Sequence, residues 1–254
     1  MVVIIDDSFL FFKKRDIFLS EIPYDIGNEI DIVKFHWCKN RIDLPGYNCS
    51  ETLTTTIDLH QELEEIRKKM SDTIKKEIRR AEKQHIIWKI NENFDEFHKL
   101  YKNFSRRKGY GSRLGFLGLE FPSVKIMEKH GTLFTFELNG EILSGHLFLE
   151  DDVTLLGWFS ASKRFEVDIQ TARLIGNANV LLHWEAIKYA KRKSLKAFNW
   201  AGLFSMKEEL EPEKKFLNQY KLSFGGQIEM YYSYSKINNK LYKKLSSLYQ
   251  NITS

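Results

Sequence analysis

Apolar residues recur along the chain with two periods, and the switch between them marks the elements. Thr132 to Leu138 and Glu141 to Leu149 are β-prone runs joined by Asn139-Gly140. That pair predicts a type I′ hairpin, because both positions accept positive φ. Asp151-Asp152 then turns the chain into Val153 to Ser160 (VTLLGWFS), an apolar run of buried-strand length. Together they predict an antiparallel meander. Lys196 to Trp200 (KAFNW), the β-branched Thr52 to Ile57 (TLTTTI) and His85 to Ile90 (HIIWKI) also read as strands. Ile228, Met230, Tyr232 and Tyr234 alternate as on an exposed or edge strand.

Helical spacing appears elsewhere. Leu63, Ile66, Met70, Ile74, Ile78 and Ala81 make one stripe, with Asp58 and Gln61 as a capping box before it and Ser71-Asp72 as a division into two helices. Phe97, Leu100, Tyr101 and Phe104 make a second, with Asn93 and Glu96 as its box and Gly109 as its stop. Pro122 suits the first turn of a short helix to His130. Val180, Trp184, Ile187 and Ala190 place an amphipathic helix over Asn179 to Lys193. Ile237, Leu241, Leu245 and Leu248 predict a closing helix, and Gly109 to Gly118 (GYGSRLGFLG) reads as a substrate-covering loop or a plain connector. Residues 1–50, with candidate strands at Val2 to Ile5, Asp16 to Leu19 and Ile30 to Trp37, read as a β-rich extension ahead of one domain over 51–254. The order of elements predicts an α/β fold with a mixed sheet and helices on both faces, the Asn179 helix being a right-handed crossover between parallel strands.

Composition narrows the class. The chain has 254 residues, of which 43% are hydrophobic and only 4 are Pro, so it can bury one large core and carries no disordered linker. Lys and Arg outnumber the acids 39 to 34, a net +5. This suits an anionic small molecule, a tRNA or an anionic membrane surface and selects none of them. Cys38 and Cys49 form no CxxC pair and no His group stands at zinc-ligand spacing, so a reduced, cytoplasmic protein without a metal is expected. The apolar start is interrupted by Asp6 and Asp7, unlike a signal peptide, and no apolar run reaches the ~20 residues of a transmembrane span.

Four segments in this order resemble the GNAT acyltransferases, and more closely their FemAB-like branch of peptidoglycan-bridge aminoacyltransferases. They are IKKEIRRAEK (Ile74 to Lys83), the meander with its Asn139-Gly140 turn, NVLLHWEAIKYAKRKSLKAFNWAGL (Asn179 to Leu203) and YKLSFGG (Tyr220 to Gly226). The resemblance covers Thr52 to Tyr234. It departs in two places: Asn199-Trp200-Ala201-Gly202 stands where the family carries Asp-x-Gly-Gly, and Tyr220 replaces a Phe. Arg173-x-x-Gly176-x-Ala178 is also similar to the GNAT diphosphate signature, in which small residues admit a diphosphate at a helix start.

What the resemblance implies is direct attack of an amine on an activated acyl carbon. The donor is aminoacyl-tRNA or acyl-CoA, bound as a substrate and not as a tight cofactor, and the acceptor is an amine on a cell-envelope precursor or a small molecule. Lys221 is the first positive anchor for a charged donor or acceptor and Arg173 the second. Tyr220 is a candidate proton donor, with Asp168, Glu166 and His146 as candidate bases. Gly176, Ala178, Asn179, Trp158, Trp200 and Phe224 are candidate substrate contacts. An acyl-CoA-dependent N-acetyltransferase and a non-catalytic nucleotide-sugar or RNA binder remain alternatives, the latter because the carboxylate is lost at Asn199.

Overall fold

The computed structural model describes residues 2–9, 11–108, 121–205 and 209–244. The Gly109–Gly118 loop and the later part of the closing helix lie outside the described residues. Two compact units divide the chain: one takes residues 54–108 and 122–229, the other 1–53, 109–121 and 230–254.

In the smaller unit, β1 (Val3–Phe9) pairs antiparallel with β2 (Phe12–Phe18), and β2 lies parallel to β3 (Ile32–Cys38). Tyr232 to Ile237, the later part of β10 (Gln227–Ile237), closes this group against β3. Ile17, Val33, Phe35, Cys38 and Tyr234 form its core.

In the larger unit the strand order is β4-β9-β8-β7-β6-β5. β4 is Asn48–Asp58, β5 Trp88–Ile90, β6 Gly131–Leu138, β7 Glu141–Glu150, β8 Thr154–Ser162 and β9 Ala197–Gly202. The hairpin turn is as the sequence predicts: Asn139 and Gly140 have φ of 53° and 80°. β6, β7 and β8 form the antiparallel meander, and β9 returns parallel to β8. Among the described residues, these strands are accompanied by α1 (Leu63–Lys69), α2 (Asp72–Lys83), α3 (Phe94–Arg107), α4 (Val124–His130), α5 (Ile169–Arg192) and α6 (Pro212–Leu222). Helices cover both faces. Successive residues of a strand point to opposite faces, and a Cβ on Gly145 would meet the Phe97 ring of α3 at 2.6 Å, while His146 reaches Asn179 of α5. Residues 142–149 of β7 are accordingly all buried. The core on the α5 side joins Ile66, Met70, Ile74 and Ile78 to Phe148, Leu155, Ile175 and Leu182.

Several boundaries differ from the sequence reading. Asp58 does not cap α1, which starts at Leu63 after Glu62; its carboxylate instead accepts from the His60 N–H. Asn93 precedes α3 in the left-handed region and turns its amide to Glu137, so no capping box forms with Glu96. Ser71 does cap α2 and divides it from α1. α4 begins at Val124 behind an N-cap made by Ser123, so Pro122 precedes the cap and lies outside the first turn. α5 begins ten residues before Asn179, at an N-cap made by Asp168, which accepts from the N–H groups of Gln170 and Thr171. Gly176 therefore lies inside a helix; a glycine there costs roughly 1 kcal/mol, and the buried neighbours Ile175 and Ala178 offset it. The segment holding Tyr220 and Lys221 is the end of α6, not an extended strand.

Among the described residues no helix is long and apolar enough to cross a membrane.

Candidate functional site

β8 and β9 pair only from Thr154↔Ala197 to Leu156↔Asn199. Beyond that, β8 stays with β7 as far as Ser162, and β9 stays with β4 as far as Gly202. The two parallel strands therefore part toward their C-terminal ends, and a bulge sits on each beside the opening. On β8, Trp158 is the extra residue between Phe148↔Gly157 and Leu147↔Phe159. On β9, Trp200 and Ala201 face the single Thr55 between Thr56↔Asn199 and Thr54↔Gly202.

The β9 bulge is held by Asn199. Its side chain is fully buried, and its Oδ1 accepts the Ala201 N–H at 2.9 Å and lies 2.7 Å from Thr54 Oγ1. Ala201 sits at φ 61°, a left-handed conformation that a Cβ disfavours. The amide thus does structural work at the position where the family carries a carboxylate.

α6 and the turn after it supply the next layer. Gly225 has φ 81°, and a Cβ there would lie 2.5 Å from the Lys69 carbonyl oxygen; one on Gly226 would lie 2.5 Å from Thr55 Oγ1. Only glycines let this turn press against α1 and β4. The turn seats Phe224 beside Trp200, ring centroids 4.5 Å apart, with Tyr220 5.9 Å from the indole. Lys221 reaches the end of β9, its Nζ donating to the Gly202 carbonyl at 2.6 Å. Burial pulls Lys221 down to about 8. Among the described residues no carboxylate pairs with it.

Beneath these aromatics lie two buried imidazoles. His183 of α5 stacks 4.6 Å from Trp200 and 4.0 Å from His146. Its Nδ1–H donates to the Asn179 carbonyl at 2.8 Å, and Tyr220 Oη lies 3.1 Å from the same nitrogen. Burial lowers His183 well below its ordinary range, lowers His146 to about 4, and raises the Tyr220 phenol. All three are therefore neutral near pH 7. The Trp200 indole N–H is buried without a hydrogen-bond partner.

Of the residues singled out from sequence, the fold brings together Lys221, Tyr220, Trp200 and Phe224, and joins Asn179 to them through His183. Trp158 lies on the β8 bulge, half-buried. Arg173 is exposed on α5, and among the described residues no ion pair joins it to this cluster. Ala178 is buried in the core, and a Cβ on Gly176 would lie 3.6 Å from the Arg164 guanidinium carbon. Arg173 to Ala178 sit inside α5 and not at its start, so the free N–H groups expected of a diphosphate loop are not located there. Asp168 is committed to its cap, and Glu166 pairs with Arg107. His183 was missed by sequence reasoning, though a ring nitrogen amid NVLLHWEAI was a visible break in an apolar run.

A mixed sheet whose two parallel strands part toward their C-terminal ends, with a helix crossing between them, is the architecture expected of a GNAT-type acyltransferase. The chain belongs to the family described as the acetyltransferase (GNAT) domain, whose model matches residues 68–209. Three solved structures share the fold at low identity. FemX is 11% identical over 96% of this chain and 86% of its own, with a TM-score of 0.63. L-PGS from Bacillus licheniformis is 10% identical over 97% and 85%, at 0.54. The C-terminal domain of a putative lysylphosphatidylglycerol synthetase from Agrobacterium fabrum is 9% identical over 92% and 80%, at 0.53. At these identities the likeness is one of fold. No curated protein matches the sequence.

Proposed function

We propose that the chain is an N-acyltransferase of the FemAB-like type. It moves an aminoacyl group from aminoacyl-tRNA to an amine on an anionic, nucleotide-linked or cell-envelope precursor in the cytoplasm. The observation that carries this reading is Lys221: a half-buried ammonium at the end of β9 that, among the described residues, donates to the Gly202 carbonyl and pairs with no carboxylate. Its ammonium is partly desolvated with no paired charge among the described residues, which is costly. An anionic substrate group supplies that charge, and a charge-assisted contact of this kind is worth roughly 1.5–3 kcal/mol. Trp200 and Phe224 line the acceptor side. Tyr220, a neutral phenol, orients the substrate by hydrogen bonding while Trp158 covers the bulged edge of β8. The amine attacks the acyl carbon directly, and backbone N–H groups along the parted strand edges stabilise the oxyanion. The aminoacyl-tRNA donor is preferred to acyl-CoA because Arg173 to Ala178 are built into α5.

Lys221→Met tests the assignment. It keeps the apolar stem and removes the charge, so substrate affinity or turnover should fall at least ~10-fold with no loss of melting temperature. Wild-type activity in this variant would refute it, and a large stability loss would make Lys221 a structural residue.

A further inference from the structure

Ser160 lies on the parted stretch of β8 and faces His146 of β7 as its register partner. Ser160 is exposed, whereas His146 is buried. Ser160 Oγ stands 2.8 Å from His146 Nδ1, and His146 Nε2 stands 3.2 Å from Asn179 Oδ1. An amide oxygen can only accept, so Nε2 carries the imidazole proton and Nδ1 is left bare toward the serine hydroxyl. Asn179 is itself held in place, because its main-chain carbonyl receives the His183 N–H.

We propose that Ser160, His146 and Asn179 form a nucleophile, base and orienting group, and that Ser160 Oγ takes up acyl groups from activated esters. Nucleophile and base lie within hydrogen-bond reach, and a third group fixes the ring. Relative to the serine hydrolases the two ring nitrogens exchange places, but geometry and roles define such a set, and an Asn can fill the third role. In the acylation step Oγ bonds to the acyl carbon and its proton passes to His146 Nδ1. The bond from that carbon to the leaving oxygen breaks, and the leaving group departs with the proton from Nδ1. In deacylation, water attacks the ester, gives its proton to Nδ1, and Ser160 leaves reprotonated, so this is a hydrolytic activity apart from the direct transfer to an amine. Burial keeps His146 neutral, with Nδ1 unprotonated, and makes it a weak base, so the step depends on the short Ser160–His146 contact, while the exposed Ser160 meets the ester.

The test uses the purified full chain and p-nitrophenyl acetate. Activated esters require neither a cationic anchor nor the natural acceptor, so the outcome is independent of the role of Lys221. Wild-type protein should release p-nitrophenolate, and acid-quenched digests should carry one acetyl group on the Ser160 peptide. A fluorophosphonate should label the same residue. Ser160→Ala should lose both signals while keeping its melting temperature, because the side chain is exposed. His146→Gln, which keeps a polar group in the site but removes the base, should slow acylation by roughly 10²-fold or more. Ser160→Cys places a thiol against Nδ1 and should react with iodoacetamide faster than the exposed Cys49 does. Folded wild-type protein with no acetyl or phosphonyl group on Ser160 would overturn the proposal, as would Ser160→Ala turning over at the wild-type rate.

Discussion

Two residues carry a cost that the fold does not recover locally. Lys221 is held well below its ordinary value by burial. Its folded pKa lies below its unfolded one, so from about 8 to the ordinary 10.5 the unfolded chain binds more protons and stability rises with pH. The rise is on the order of 3 kcal/mol at most. Denaturant midpoints measured from pH 7 to 11 should show it in the wild type and lose it in Lys221→Met. Ala201 adopts a conformation that costs an alanine roughly 1–2 kcal/mol. Ala201→Gly relieves that at an entropic cost of about 0.5–1 kcal/mol, so the variant should be as stable as the wild type or slightly more so in thermal melts. Asn199→Ala should do the opposite. It leaves the Ala201 N–H unpaired in the core, costs about 1–3 kcal/mol, and so separates a structural amide from a catalytic one.

Turns decide how the elements meet, and here the sequence was uneven in what it disclosed. Asn139-Gly140 was legible because the pair has one good conformation between β-prone runs. The parallel return of β9 followed from the crossover rule. The start of α5 was hidden, because Gly176 reads as punctuation while the burial that overrides it is a tertiary effect. His183 and Glu185 are buried along with the stripe predicted from Val180 and Trp184, so α5 has no polar face over its middle turns. α6 was missed although Pro212 stands at its first turn, since its Phe216 and Leu217 are exposed and show no core stripe. Tyr220 and Lys221 read as part of an extended segment before the Gly-Gly pair, whereas they end α6. The Gly225 turn yields an expectation at this scale: Gly225→Ala meets both positive φ and the Lys69 carbonyl, and should lower stability by more than ~1 kcal/mol in denaturant titration.

For the molecule as a whole, the donor is the open chemical choice, and its net +5 bears on the test. If aminoacyl-tRNA is bound, affinity should fall steeply as salt is raised, in proportion to the phosphates neutralised. Millimolar CoA should leave the melting temperature unchanged, and Gly176→Val should not alter that response. A CoA-dependent rise that Gly176→Val abolishes would restore the acyl-CoA reading.

The partnership of β4 with β9 has a consequence in time. Thr54 and Asn199, which share the bulge, are 145 residues apart in sequence. A strand emerging early from the ribosome must wait for one made much later, and closing so long a loop slows folding. Until then the β-branched Thr54-Thr55-Thr56 edge stands open, and refolding yield should depend on chain concentration through pairing at that edge.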